Sequence, residues 1–223
     1  MQAIILAAGE GKRMRPLTLT VPKTLIEIKG KPIISHILAA LPNEIDEVIV
    51  VVRYLGEKIR AYLGSDFGGR KIVYVEGRGQ GTAADFLLTR PYVNSERFLL
   101  IYGDELPRPD DISNCLKHEF SLLVFKSDNP TAHGVVILNE DGLVEGVMEK
   151  PKNPPSEIAV DGVMVLGRKM FEYQPVSGQG GEFYLTSLVD QFVKDHKVYS
   201  VMSVGFIGDI TTPADIERVE KVL

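Results

Sequence analysis

The sequence holds one cysteine (Cys115), four histidines and no tryptophan. A single cysteine excludes an internal disulfide and any cysteine-built metal cluster, and it fits a reducing compartment. His36, His118, His133 and His196 form no metal-binding spacing, and no Ser/His/Asp or Cys/His grouping stands out. Covalent catalysis is therefore not expected. No apolar run approaches the roughly 18 residues that span a bilayer. The opening AIILAA is too short for a signal peptide, follows no basic segment and leads into a charged loop. It reads as a buried first strand of a cytoplasmic protein. The net charge of −5 argues against a general polyanion surface, so no nucleic-acid partner is expected. Internal repeats are absent, and no hexapeptide repeats build an appended β-helix.

What is present suits one α/β unit with a sizeable core: 223 residues, 44% hydrophobic and 25% charged. QAIILAA (2–8), DEVIVVV (46–52), KIVYVE (71–76) and RFLLIYG (97–103) read as strands apolar enough to be buried on both faces. Helical patterns lie between them over 33–41, 55–64 and 82–90, the last with Thr82 as its N-cap. This alternation predicts a Rossmann-like, doubly wound, mostly parallel sheet whose ligands sit at the carboxyl ends of the strands. Strands then crowd together at 121–126, 134–140, 143–150 and 158–166, suggesting an antiparallel or mixed extension for a second substrate. A helix over 182–195, a strand over 197–204 and a helix over 213–222 close the chain.

The first strand runs into LAAGEGKRMRPLTLTVPKTL (6–25). Gly9 and Gly11 let backbone amides approach a ligand, and Lys12, Arg13, Arg15 and Lys23 favour an anion. A phosphate chain meets both conditions, with Arg13 able to fork onto its oxygens and Lys23 acting as a point charge. The spacing is neither the dinucleotide fingerprint nor a Walker A loop. Continued to EIKGKPI (27–33), the stretch follows LAAGxGxRxxPLTxxxPKxLxxIxGKPI, and so resembles the nucleotide-sugar pyrophosphorylases, or sugar-phosphate nucleotidylyltransferases, in a short form without a C-terminal β-helix domain.

The resemblance implies roles for further positions. Leu6, Ala8, Gly9, Gly11 and Lys12 belong to the nucleotide loop. Glu76 and the segment Gln80-Gly81-Thr82 resemble the base-binding LGTAGA, with Gln80 where leucine is usual. Gly103-Asp104 supplies a metal ligand in the family, and Asp209 in GDITTPADI resembles the second, with Thr211 in place of glycine. Two carboxylates without histidine or cysteine suit Mg²⁺. Glu149-Lys150-Pro151 resembles the motif whose lysine meets the phosphate of a sugar 1-phosphate. Asp161-Gly162 stands in place of an Asn-x-Gly sugar contact, and Glu182 in EFYLT resembles the glutamate that binds sugar hydroxyls.

The implied enzyme joins an NTP to a sugar 1-phosphate, releasing pyrophosphate, with Arg13 and Lys23 as its catalytic cations. It is expected as one domain over 1–223, with 1–110 mainly for the nucleotide and 111–223 mainly for the sugar phosphate. A phosphorylated alcohol such as choline phosphate or inositol 1-phosphate remains an alternative acceptor, and a non-catalytic nucleotide-sensing subunit a third reading. Base, sugar and the choice between monomer and homo-oligomer stay open.

Overall fold

The protein was analysed as a computed structural model that describes residues 1–205 and 210–223. The first half lays down β1 (Gln2–Ala7), a short hairpin of β2 (Glu27–Ile28) and β3 (Lys31–Pro32), α1 (Ile33–Ala40), β4 (Glu47–Val52) and α2 (Gly56–Leu63). It continues through β5 (Asp66–Phe67), β6 (Arg70–Glu76), α3 (Thr82–Leu87) and β7 (Arg97–Tyr102). β1 pairs in parallel with β4 on one side and β7 on the other, and β4 pairs in parallel with β6. Ile4, Ile5, Val48–Val52 and Phe98–Ile101 are wholly buried, as continuous apolar strands covered on both faces should be.

The second half comprises α4 (Pro109–Leu116), β8 (Ser121–Lys126), β9 (Gly134–Leu138), β10 (Val144–Glu149), β11 (Ile158–Gly167), α5 (Thr186–Asp195), β12 (Tyr199–Met202) and α6 (Pro213–Glu220). Its strands do not form a separate layer. β11 runs antiparallel to β7 and carries the sheet onward to β8 and β9, while β10 and β12 pair with β9 and β8. The result is a mixed sheet with the order β10-β9-β11-β7-β1-β4-β6-β5. Apolar residues of α1, α2, α4 and α6 cover one face (Ile37, Ile59, Ile112, Val219), and those of α3 and α5 the other (Phe86, Leu188, Phe192).

Three expectations need correction. The helix expected over 182–195 starts only at Thr186, because Phe183 spends its backbone groups elsewhere: its N–H donates to Gln80 O and its carbonyl accepts from Ala83 N–H. Thr82 is the first helical residue and Gly81, at φ 112°, takes the cap position. The Thr82 hydroxyl instead accepts a hydrogen bond from Leu185 N–H at 2.8 Å. Helix α4, not anticipated from the sequence, opens with Pro109 at its first position and Asp110 and Asp111 in its first turn, both favourable at a helix N-terminus.

Candidate functional site at the carboxyl edge of the sheet

Parallel pairing sets β1, β4, β6 and β7 side by side, so the loops leaving them emerge at one edge. The loop after β1 is wound tightly from Gly9 to Leu25 by three single-turn 3₁₀ helices. Gly11 adopts φ 60°, and a Cβ there would stand 2.9 Å from Thr18 Cγ2. Only glycine meets both conditions without strain.

Outside residues hold this loop in place. The Tyr54 hydroxyl donates to Thr18 O at 2.9 Å, Lys58 Nζ donates to Thr20 O at 2.5 Å, and Arg53 reaches Glu10 at 3.3 Å. All three lie just after β4 or in α2. Lys12 also pairs with Glu10, at 3.3 Å, and these two cations hold the Glu10 carboxyl below its usual range. Arg13 is exposed at the surface of the loop. Among the described residues, two buried polar atoms border the loop without a hydrogen-bond partner, Thr24 Oγ1 and Arg53 Nε.

Lys23 is drawn inward. Its Nζ meets Asp104 Oδ2 at 2.5 Å, with the lysine side chain 12% and the aspartate side chain 37% exposed. This pair joins the end of the loop after β1 to the residues after β7, where Gly103 N–H donates to Leu6 O. Ile210 N–H reaches the Asp104 carbonyl at 3.4 Å. Ile210 is thereby tied to Asp104, while Asp209 lies outside the described residues.

The loop after β6 is organised by Asp85 of α3, whose Oδ1 accepts from the amides of Arg78 at 2.7 Å and Gly79 at 3.2 Å. Glu76 points away toward α2 and pairs with Arg60 at 2.7 Å. Gln80 is exposed. At Gly81 a Cβ would stand 2.4 Å from Phe183 O, so the segment before α5 can cross there only over glycine.

From the second half come Glu149 and Lys150. Glu149 Oε2 accepts from the Thr186 hydroxyl at 2.9 Å, and Lys150 Nζ lies 3.4 Å from Glu149 Oε1. Lys150 has φ 41°, an uncommon conformation for a side-chain-bearing residue. Tyr102 links this group to the first: Glu149, Asp104 and Glu105 all act on its phenol, and Thr82 lies beside it. Burial first, and then these carboxylates, push that phenol far above its ordinary range.

Asp161 and Gly162 fall where the pairing of β11 with β8 shifts register between Val160 and Met164. Asp161 is buried, and its charge is felt by the Cys115 thiol of α4. Glu182 is exposed in the segment before α5.

The structure therefore gathers Lys23, Asp104, Gln80, Thr82, Glu149, Lys150 and Glu182 along one edge, and it turns Glu76 aside. Arg53, Tyr54, Lys58, Tyr102 and Asp85 were not singled out from the sequence. The partners of Arg53, Tyr54 and Lys58 are distant in the chain, while Asp85 bonds amides only six and seven residues before it. Among the described residues no cluster of three or more His, Cys, Asp or Glu could hold a metal by itself, and no helix is long and apolar enough to cross a membrane.

Comparisons with known proteins identify the family of the chain. A family model for nucleotidyl transferase matches residues 2–221. The bifunctional protein GlmU of Methanocaldococcus jannaschii is 35% identical over all of this chain, which covers 54% of that protein. The chain thus spans about half the length of such GlmU relatives. The UTP–glucose-1-phosphate uridylyltransferase AglF of Haloferax volcanii is 30% identical, with 100% of this chain and 96% of that protein covered. The structure of an inositol-1-phosphate CTP transferase from T. maritima superimposes with a TM-score of 0.80 at 26% identity, covering 99% of this chain and 95% of that one. The family match over nearly the whole chain, with full-length similarity to AglF, establishes that this protein belongs to the nucleotidyl transferase family.

Proposed function

We propose that this chain couples a nucleoside triphosphate to a sugar 1-phosphate, forming an NDP-sugar and pyrophosphate. The observation that carries the proposal is the shared sheet edge, which sets a loop rich in cations (Lys23 on Asp104) near a second lysine (Lys150 on Glu149). One cationic group suits the triphosphate and the other the phosphate that attacks it. A phosphate oxygen of the acceptor attacks the α-phosphorus, and the bond to the departing pyrophosphate breaks. The nucleophile is already anionic, so the task is alignment and neutralisation of like charges. Arg13 holds the β- and γ-phosphates, Lys23 stabilises charge at the α-phosphate, and Lys150 positions the attacking phosphate.

Leu6, Ala8, Gly9, Gly11 and Lys12 line the nucleotide, with Gln80, Gly81 and Thr82 near its base. Gly103, Glu149, Asp161, Gly162 and Glu182 serve the sugar phosphate. Residues 1–110 mainly take the nucleotide and 111–223 mainly the sugar phosphate. Asp104 and Asp209 would hold Mg²⁺. The oxygen donors of Asp104, with no histidine or cysteine cluster among the described residues, fit a hard cation that keeps several waters. Bound there, the ion would neutralise phosphate charge. The same reading places the protein in the cytoplasm with its NTP, and both substrates are small molecules.

Glucose 1-phosphate with UTP or dTTP is the first pair to test, supported by the likeness to AglF. The likeness to the T. maritima structure favours one second reading, inositol 1-phosphate as acceptor. Pyrophosphate release across several NTPs, sugar 1-phosphates and inositol 1-phosphate separates the two. Release with no acceptor above background would overturn both, and undiminished turnover in excess chelator would remove the metal.

A further inference from the structure

Tyr184 neighbours two of the residues assigned to the acceptor, Lys150 and Glu182. Lys150 Nζ lies 5.1 Å from the centre of its ring, within the range of a cation–π contact. Tyr184 and Glu182 also meet at Gly178, whose N–H donates to Glu182 O at 2.8 Å while the ring lies over its Cα, and burial first, then the Glu182 charge, hold the phenol above its usual range.

The ring is fixed from several directions. It packs against the bare Cα of Gly178, where a Cβ would come within 2.6 Å of Tyr184 Cδ2. The Tyr184 carbonyl accepts from Ser187 N–H at 3.1 Å and from the Ser187 hydroxyl at 2.8 Å. The preceding residue, Phe183, is bonded to Gln80 and Ala83. Lys150, by contrast, is a long side chain 44% exposed on a left-handed backbone. Held by Glu149 alone, across 3.4 Å, its ammonium would be free to sample other rotamers.

We propose that Tyr184 is a positioning residue for the acceptor: its ring face holds the Lys150 ammonium, and its hydroxyl orients Glu182. The proposal rests on the assignment of Lys150 and Glu182 to the sugar phosphate. Tyr184 touches no reacting atom, so its removal should act on acceptor binding and leave the chemical step alone. The two handles are separable, because phenylalanine keeps the ring face and loses only the hydroxyl, whereas leucine loses both.

The test is steady-state pyrophosphate release with UTP and Mg²⁺, against glucose 1-phosphate and galactose 1-phosphate. It compares wild type, Tyr184→Phe, Tyr184→Leu, Glu182→Gln and the Tyr184→Phe/Glu182→Gln double variant, each first shown to melt cooperatively. Tyr184→Phe should raise KM for glucose 1-phosphate roughly fivefold, the loss of one hydrogen bond. It should also narrow the preference between the two sugars, and add nothing in the Glu182→Gln background. Tyr184→Leu should raise that KM by a further factor of about three to five, for the lost ring face. In both, kcat and the KM for UTP should stay within about twofold, as expected for uniform binding.

Equal KM values for Tyr184→Phe and Tyr184→Leu would overturn the ring-face role. A wild-type KM in Tyr184→Phe would overturn the hydroxyl role, and a matching rise in the KM for UTP would reveal mere loss of structure. If the leucine variant does not fold, 4-fluoro- and 3,4,5-trifluorophenylalanine at position 184 weaken the ring face at nearly constant shape. KM must then climb with fluorination, and a flat series sinks the proposal. Wild type that releases no pyrophosphate with any acceptor defeats the functional reading itself, a result distinct from normal wild-type turnover with unresponsive variants.

Discussion

The loop after β1 and the segment before α5 reach the same sheet edge by different means. The first is clamped from outside, by Tyr54 on Thr18, Lys58 on Thr20, Arg53 on Glu10 and Asp104 on Lys23. Its supports belong to the first half of the chain and the parallel core of the sheet. The second has little such scaffolding: Phe183 and Leu185 lean on Gln80, Thr82 and Ala83. Support is therefore uneven. The loop after β1 takes its clamps from the first half of the chain, whereas the segment before α5 borrows its shape from the loop after β6 and the start of α3.

The largest expected effect lies within the clamped loop. Lys23→Ala should lower kcat by about a hundred- to a thousandfold, the usual size of a lost transition-state charge contact. Thermal stability should change little, which a melting curve alongside the turnover assay would check. Gly81→Ala attacks the dependence itself. Its Cβ meets Phe183 O at 2.4 Å and its φ is 112°, so unfolding by urea should register a loss of roughly 1–3 kcal/mol. KM for the sugar phosphate should rise along with that for the NTP. A Gly9→Ala protein, whose Cβ meets nothing within 4 Å, should keep its urea midpoint. If Gly81→Ala spared the sugar phosphate, the borrowed-support picture would be wrong.

Lys150→Ala tests the reverse direction. KM for the sugar phosphate should rise about tenfold, by loss of a charged contact, with that for the NTP nearly unchanged. Asp215→Asn removes no contact to either loop and should be the mildest. Asp215 closes a capping box with Thr212 at the start of α6, and losing it should cost about 1 kcal/mol in chemical denaturation. Burial opposes the charge of Asp215, but bonds from Thr212, Thr211 and Arg218 outweigh it and leave its pKa lowered. A lowered folded pKa means the contribution is complete above the ordinary carboxylate range and fades as pH falls through the folded value. The variant and the wild type should therefore converge in stability under acid.

How much of this was legible in the sequence depends on the reach of each contact. β1, β4, β6 and β7 announce themselves, because a strand buried on both faces must be apolar throughout. The pairing of Lys23 with Asp104 fits two stretches that each carry a family pattern. Thr82 was misread as a cap, since Gly81 alone tolerates the backbone needed under Phe183 and the threonine hydroxyl is claimed by Leu185. The start of α5 was misplaced for the same reason: 182–185 has helical composition but finds its partners a hundred residues away in the chain. Arg53 and Tyr54 carry no motif, and within EFYLT only Glu182 was singled out, so the importance of all three residues, Tyr184 included, arises from what the fold sets beside them.

The antiparallel seam between β11 and β7 has a kinetic consequence. Strands β1, β4, β6 and β7 are consecutive apart from small hairpins, and they can assemble from the first 102 residues. β9 and β10 can pair as a local hairpin, whereas β11 must find β7 before the two halves share one sheet. Early closure favours contacts near in sequence, so the seam between β11 and β7 should close after the β9–β10 hairpin. Pulsed hydrogen exchange during refolding should protect the amides shared by β9 and β10 before those shared by β11 and β7. A ribosome-bound chain would hold β1, β4, β6 and β7 complete while β11 was still to be synthesised.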